Sequence, residues 1–274
     1  MKTIIEVDNL SFSYSANRPV LKDISFSVET GEFLAVAGPN GVGKSTLLAL
    51  LCGSLPPRSG TITLDSAPIQ TYDTSALARK VALVRQEFIP VFGFSVLETV
   101  ALARIPYYSP LGFVRQTDVG LIRQALDATD VTGLAERTVA TLSAGERQRV
   151  FIARALAQNA DVLLLDEPTS FLDFKHQVAI YDLLKTAQFE KAKTVVAVTH
   201  DINLAAQYCD QVLLLGPDFT FKHGSTTDVF RPEQIEQTYG VKVHVGQIGR
   251  EKFFIPLGRL AKDKHPTDWA DPCA

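Results

Sequence analysis

The stretch that decides the fold is GPNGVGKST, residues 38–46. It matches the pattern G-x-x-x-x-G-K-[ST], and it lies between the apolar run FLAVAG (residues 33–38) and the helical run KSTLLALLCG (residues 44–53). In a strand–loop–helix unit of this kind, backbone N–H groups of the loop wrap phosphate oxygens, and the helix N-terminus adds positive potential. The pattern therefore predicts a phosphate-binding loop at the carboxyl end of a buried strand.

Each part of this loop has an expected role. The glycines permit positive φ and leave room for the anion, Lys44 reaches the β- and γ-phosphates as a point charge, and Ser45 ligates Mg²⁺ while Thr46 lies nearer the α-phosphate. The residues predicted to contact the nucleotide are Gly38, Pro39, Asn40, Gly41, Val42, Gly43, Lys44, Ser45 and Thr46.

A second motif, VLLLDEP (residues 162–168), supplies carboxylates. Its apolar residues predict a central strand that ends at Asp166, in the usual ligand crevice of an open α/β sheet. Asp166 is expected to hold the Mg²⁺ shell, and Glu167 to orient or deprotonate the attacking water. A DE pair after a strand is often only a solvated turn, but the phosphate loop favours the catalytic interpretation. Because no N-K-x-D motif follows, a guanine-reading GTPase is disfavoured.

The order of apolar patterns predicts the architecture. Residues 3–36 alternate in short runs, which indicates antiparallel strands and turns. Residues 88–156 have helical periodicity, and beyond them apolar strands alternate with helices. We therefore predict an α/β fold with a mainly parallel sheet covered on both faces, an N-terminal antiparallel part and an inserted helical part.

Net charge, cysteine spacing and the length of apolar runs limit the classes of function that the chain can have. The 274 residues carry a formal net charge of −3 and three scattered cysteines without metal-ligand spacing. There is thus no global attraction to nucleic acid or anionic lipid, and reduced thiols in the cytosol are expected. No uncharged apolar run approaches the roughly 20 residues that span a bilayer.

The stretch LSAGE (residues 142–146) predicts a helix start. Ser143 and Glu146 have capping-box spacing. Gly145 is unexpected there, because glycine costs about 1 kcal/mol relative to alanine inside a helix. This glycine indicates that something comes close to the backbone.

With these three motifs in order, the chain resembles the ATP-binding cassette (ABC) ATPases over roughly residues 3–240. The resemblance implies a P-loop NTPase core (residues 1–87 and 157–240) with a helical subdomain inserted at residues 88–156 and a C-terminal extension at 241–274. It also implies ATP and Mg²⁺ as cofactors, with Glu167, His200 and Lys44 as the catalytic residues.

Further residues are carried over by the same resemblance. Tyr14 matches the aromatic residue that stacks on adenine, Gln86 matches the glutamine that touches Mg²⁺, and His200 matches the histidine that contacts the γ-phosphate. Asp173 ends SFLD (residues 170–173), which matches the loop that crosses the dimer interface.

The resemblance also explains the glycine in LSAGE. In this family two subunits lie head to tail with two ATP molecules between them, so Ser143 and the N–H of Gly145 would contact the γ-phosphate of the other subunit. The chain departs from the commoner pattern at Ala144, where the family has glycine, and at Glu146, where it often has glutamine. These departures leave open how tightly the loop closes.

Lineage is indicated by segments outside the nucleotide site. TSFLDFKHQV, VTHDINLAAQYCD and FRPEQIEQTYGVKVHV resemble ATPases that import iron–siderophore, haem or cobalamin complexes. The partners implied are a second copy, transmembrane permease subunits and, indirectly, an external substrate-binding protein, with no nucleic acid. The chain would lie in the cytoplasm, peripheral on the inner face of the membrane. The alternatives are an ATPase for an exporter with a separate permease and a soluble ABC ATPase without a transporter.

Two further segments carry predictions. Residues 88–99, rich in phenylalanine, are expected to form part of the groove that receives a cytoplasmic helix of the permease. Near the C-terminus, KFFIPL (residues 252–257) predicts an added edge strand.

Overall fold

The fold is described from a computed structural model, for residues 2–15, 18–85, 93–108, 115–249 and 251–258. Gln86 and residues 88–92 of the predicted permease groove lie outside these ranges.

The strands are β1 (Thr3–Ser15), β2 (Arg18–Glu29), β3 (Phe33–Ala37), β4 (Ser59–Leu64), β5 (Ala67–Pro68), β6 (Val81–Val84), β7 (Val162–Asp166), β8 (Thr194–Val198), β9 (Gln211–Leu215), β10 (Phe221–Ser225), β11 (Val243–Ile248) and β12 (Glu251–Pro256). The helices are α1 (Lys44–Leu51), α2 (Thr74–Lys80), α3 (Val96–Ala101), α4 (Gln116–Ala128), α5 (Ala144–Gln158), α6 (Phe174–Lys191), α7 (Ile202–Tyr208), α8 (Thr226–Val229) and α9 (Pro232–Tyr239).

The central sheet has the strand order β10-β9-β3-β8-β7-β6, and only the edge strand β10 is antiparallel to its neighbour. Every residue of β3, β7 and β8 is buried. Successive side chains of β3 alternate between two cores: Phe33 and Ala35 face the core that contains α5 and α6, whereas Leu34 and Val36 face the one that contains α1. The predicted parallel sheet, covered on both faces, is confirmed.

The N-terminal strands form a separate antiparallel sheet with the order β2-β1-β4-β5. Its apolar face packs with α1 and one face of the central sheet in a shared core. The antiparallel N-terminal part predicted from alternation is therefore confirmed.

Helices α3, α4 and α5 form the inserted region, as the helical periodicity predicted. Helix α3 is short, although helical periodicity was predicted throughout residues 88–156. It changes after Ala101 to a 3₁₀ segment, Leu102–Tyr107. This segment contains Pro106, which has no N–H to donate to a continuing α-helix.

The strand predicted over KFFIPL is present as β12, and its position in the fold could not be read from its composition. Within the described chain, β12 pairs with β11 alone in a two-stranded antiparallel sheet. Apolar packing fixes the position of this strand: Phe254 is only 5% exposed and belongs to the main core, where its ring meets Phe230 edge-on at 5.9 Å. The hairpin therefore lies against the side of the domain, next to α7.

Candidate nucleotide-binding site

The phosphate loop follows β3 at the centre of the sheet and needs glycine at two positions for definite reasons. Gly38 has φ 147°, and a Cβ atom there would lie 2.2 Å from the carbonyl oxygen of Leu215. Gly43 has φ 111°, and a Cβ would lie 2.7 Å from Cδ2 of Leu21. The chain turns this tightly only because both positions lack a side chain.

Helix α1 starts directly after this turn. Its N-cap is Gly43 in the left-handed region, and no side chain caps it. The first N–H groups of an α-helix have no partner within the helix. Those of α1 thus lie where the motif predicts that phosphate oxygens bind.

Lys44 is 6% exposed, and its ammonium group donates hydrogen bonds of 2.8 Å to the carbonyl oxygens of Gly38 and Pro39. Burial lowers the pKa of Lys44, and the nearby carboxylates of Glu167 and Asp166 oppose that shift. The lysine charge is therefore held inside the curve of the loop, facing the two carboxylates of the second motif.

Asp166 ends β7 and is 9% exposed. Burial raises its pKa, and an interaction with the Ser45 hydroxyl is the largest effect that lowers it. Its Oδ1 atom is buried without a hydrogen-bond partner among the described residues. A buried unpaired carboxylate oxygen next to a hydroxyl suits Mg²⁺, which binds hard oxygen ligands and keeps several waters.

Glu167 lies just beyond β7 with φ 50°, a backbone conformation that non-glycine residues adopt at a cost. Its N–H donates to the carbonyl oxygen of Val198 at 3.1 Å, which holds it next to the end of β8. One carboxylate oxygen forms a short hydrogen bond with Nε2 of His200, and the other accepts from the Ser170 hydroxyl at 2.9 Å. Residues from two adjacent strand ends thus form one polar group.

The contact with Ser170 was missed by sequence reasoning. The resemblance predicted only that SFLD is the loop that crosses the dimer interface. The spacing of Ser170, three residues after Glu167, is the signal that could have suggested this bond, because turn residues three apart often pair. Ser170 fixes the second oxygen of the proposed base.

Tyr14 lies near the end of β1 and is 59% exposed. Its hydroxyl lies 3.2 Å from Oγ1 of Thr46, in the first turn of α1, and its ring meets Phe12 edge-on at 5.0 Å. An exposed ring fixed beside the phosphate loop is suited to stacking on a base.

Ser143 is the N-cap of α5, and the predicted capping box is confirmed. Its Oγ accepts from the N–H of Glu146 at 3.3 Å, while its own N–H and hydroxyl each donate to Glu146 Oε2 at 2.8 Å. These bonds lower the pKa of Glu146. In the described part of the chain, no hydrogen bond joins Ser143 to the phosphate loop.

Gly145 has a close neighbour within its own chain. A Cβ there would lie 3.2 Å from Cδ2 of Leu172 and 3.3 Å from the carbonyl oxygen of Phe171. Asp173, the next residue of that loop, caps α6 by accepting from the N–H of His176 at 3.0 Å. The start of α5 and the loop before α6 thus form a second group, which contains Ser143, Gly145 and Asp173. The close approach of this loop to the backbone of α5 is a steric reason for glycine at position 145.

Lys44, Asp166, Glu167 and His200 converge at the carboxyl edge of a mainly parallel sheet, beyond β3, β7 and β8. This arrangement defines a P-loop nucleoside triphosphatase.

Comparison with known proteins narrows that class. The ABC transporter family matches residues 21–170 of the 274. The chain belongs to this family, as an ATP-hydrolysing cassette.

Two curated relatives match along most of their length. The hemin import ATP-binding protein HmuV of Thermobifida fusca (strain YX) is 38% identical over 254 residues, which cover 93% of this chain and 87% of that protein. The ferric enterobactin transport ATP-binding protein FepC of Escherichia coli (strain K12) is 36% identical over 244 residues, covering 88% and 90%.

Solved structures give the same fold. A chain of an ABC transporter described as metal-chelate type, in an inward-facing conformation, has a TM-score of 0.81 at 33% identity and covers 94% of this chain and 99% of its own. The dimeric structure of MJ0796, a bacterial ABC transporter cassette, has a TM-score of 0.73 at 31% identity, covering 81% and 99%. None of the helices in the described ranges combines the length and apolar character needed to cross a bilayer.

Proposed function

We propose that this chain powers import of a metal chelate, of the iron–siderophore, haem or cobalamin type, by hydrolysing Mg²⁺-bound ATP. The observation that carries the proposal is the Glu167–His200 pair beside Asp166 and the buried Lys44.

In the proposed reaction, a water molecule attacks the γ-phosphate while the loop holds the nucleotide. Glu167 orients this water and accepts its proton. Lys44 and the N–H groups of α1 stabilise the negative charge on the phosphate oxygens. His200 contacts the γ-phosphate and positions Glu167. Ser45, Asp166 and Gln86 would hold Mg²⁺, which supplies additional positive charge to the phosphates.

We further propose that two copies close head to tail on ATP, so that Ser143 and Gly145 serve the other copy's nucleotide. Among the described residues, no hydrogen bond joins Ser143 at the N-terminus of α5 to the phosphate loop of its own chain, and the dipole of α5 favours an anion. The neighbouring loop and helix start expose Phe171 (58%) and Phe174 (85%), which a partner would cover. The dimeric MJ0796 cassette has the same fold.

The permease partner and the cargo class are proposed from the printed functions of relatives. Both curated relatives are import or transport ATP-binding proteins for iron-containing ligands, and each matches over most of its length. A binding protein outside the membrane would deliver the chelate to the permease.

Hydrolysis is tested with Glu167→Gln and Lys44→Ala. The Glu167→Gln variant should bind ATP like the parent and lose nearly all phosphate release, because it removes the base and leaves the phosphate loop intact. Lys44→Ala should weaken binding itself. Parental phosphate release by Glu167→Gln would show that another group is the base.

The head-to-tail arrangement is tested by mixing variants. In the Glu167→Gln background, Lys44→Ala and Ser143→Arg should each prevent ATP-dependent dimer closure, measured as trapped nucleotide. A mixed dimer contains one site that has Lys44 from one chain and Ser143 from its partner. Random pairing in a 1:1 mixture makes half of the dimers mixed, so mixing should restore about a quarter of the parental trapping. If mixed dimers form without any recovery, Ser143 does not act on the partner's ATP.

The cargo is tested by uptake in cells that carry only the Glu167→Gln allele. Uptake of one labelled chelate (haem, a ferric siderophore or cobalamin) should fail, while the permease still co-purifies with the chain. Normal uptake of all three, with loss of efflux of another compound, would favour the exporter alternative. Absence of any membrane partner would favour the soluble ATPase.

A further inference from the structure

The C-terminal hairpin formed by β11 and β12 has no place in the nucleotide chemistry described so far. Its anchor is Phe254, which is buried in the main core against Phe230. A strand fixed in this way is a rigid part of the domain and can act as a support for whatever it touches.

The hairpin touches α7 through a two-point hydrogen bond. The N–H of Phe254 donates to Oδ1 of Asn203 at 2.7 Å, and Nδ2 of Asn203 donates to the carbonyl oxygen of Phe254 at 3.3 Å. In an antiparallel pair, the N–H and C=O of one residue point to the same side. Both groups of Phe254 therefore point away from its β11 partner Val245. On that side, the side-chain amide of Asn203 forms the hydrogen bonds that a neighbouring strand would otherwise form.

Asn203 lies in the first turn of α7, three residues after His200. That turn is stiff, because Asp201 caps it: Oδ1 of Asp201 accepts from the N–H of Leu204 at 2.9 Å. On the other side of His200, Thr199 is fixed to the end of β3 by a 3.1 Å hydrogen bond to Val36. His200 thus lies between two fixed residues: Thr199, which is bonded to β3, and Asp201, which caps α7. Asn203, in the first turn of α7, connects this helix to the hairpin.

We infer that the C-terminal hairpin, acting through Asn203, is a positioning element that holds His200 against Glu167 for ATP hydrolysis. A single short hydrogen bond joins these two side chains, so a small displacement of the turn would break it. Errors of about 1 Å in the placement of a catalytic group cost up to about 100-fold in rate. The inference rests on the proposed role of His200.

The test compares Asn203→Ala with Gln207→Ala in the full-length chain. Gln207 is an exposed amide one turn further along α7, and among the described residues it forms no hydrogen bond with the hairpin. Asn203→Ala should lower kcat about tenfold while the Kd for ATP changes less than about twofold, because the phosphate loop is untouched. Gln207→Ala should leave both constants at the parental values.

Two further readouts separate positioning from loss of folded protein. Activity is expressed per bound nucleotide, which an unfolded fraction does not affect. The ring resonances of His200 in ¹H–¹⁵N spectra should move in Asn203→Ala and stay in place in Gln207→Ala. An unchanged kcat per bound nucleotide in Asn203→Ala, or an equal loss in Gln207→Ala, would overturn the inference.

His200→Ala, measured in parallel, distinguishes a failure of the proposed role of His200 from a failure of the role of the hairpin. If this variant keeps parental kcat, the proposed role of His200 fails, and the positioning inference fails with it. If it is inactive while Asn203→Ala is fully active, only the role of the hairpin is refuted.

Discussion

A buried ion pair within the inserted region joins the 3₁₀ segment after α3 to α4, and it gives the strongest stability prediction. Arg104, in the 3₁₀ segment after α3, is 5% exposed, and Asp118 in α4 is 1% exposed. Arg104 donates to Asp118 Oδ1 through Nε at 2.9 Å and Nη2 at 2.8 Å. It also donates to the carbonyl oxygens of Ala157 and Gln158, at the end of α5, at 3.0 and 2.9 Å.

We predict that Asp118→Ala lowers the free energy of unfolding by about 3.5–4.5 kcal/mol. Removal of one partner of a buried ion pair costs about 3–5 kcal/mol, because the remaining charge stays buried. Asp118 also accepts from the N–H of Arg115 at 2.9 Å, and loss of that cap adds about 0.5–1 kcal/mol. The two carbonyl oxygens near Arg104 still solvate part of its charge, so the total falls in the lower half of the range.

The measurement is urea unfolding at pH 7, followed by circular dichroism. Asp118→Asn keeps an acceptor oxygen for Arg104 and should lose about half as much. As the matched exposed control, Arg231→Ala removes a 3.2 Å pair with Asp228 whose side chains are 60% and 69% exposed, and should cost less than about 1 kcal/mol. A loss of less than 1 kcal/mol in Asp118→Ala, equal to the control, would refute the reasoning.

Three further predictions follow from the nucleotide site. Burial raises the pKa of Asp166 above its unfolded value, so its ionised form opposes folding. Asp166→Asn should therefore be more stable than the parent to urea at pH 7, and the gain should disappear below about pH 4. Gly38→Ala meets both a positive φ and a 2.2 Å clash, and should cost at least about 3 kcal/mol in urea unfolding. Gly41→Ala, where φ is 79° and nothing lies within 4 Å, should cost about 1 kcal/mol. Tyr14→Ala should raise the Kd for ATP about fivefold in a fluorescent-nucleotide assay, which corresponds to about 1 kcal/mol of stacking, and Tyr14→Phe should not.

Sequence alone predicted the features that depend on neighbouring residues. Three elements were placed correctly: the phosphate loop, the start of α5 at Ser143 and the strand that ends at Asp166. A loop, a cap and a buried strand are each determined by a few consecutive residues. The alternation of apolar strands and helices was likewise sufficient for the parallel sheet, since each element must bury its own apolar face.

The tertiary structure decided how distant residues meet. No local pattern connects Asn203 with Phe254, Arg104 with Ala157, or Gly145 with Leu172, because each pair is formed by packing of elements far apart in the chain. The C-terminal strand shows the same limit. Its composition predicted an edge strand, but that it pairs with β11 and lies beside α7 depends on the burial of Phe254, which only the folded core can provide.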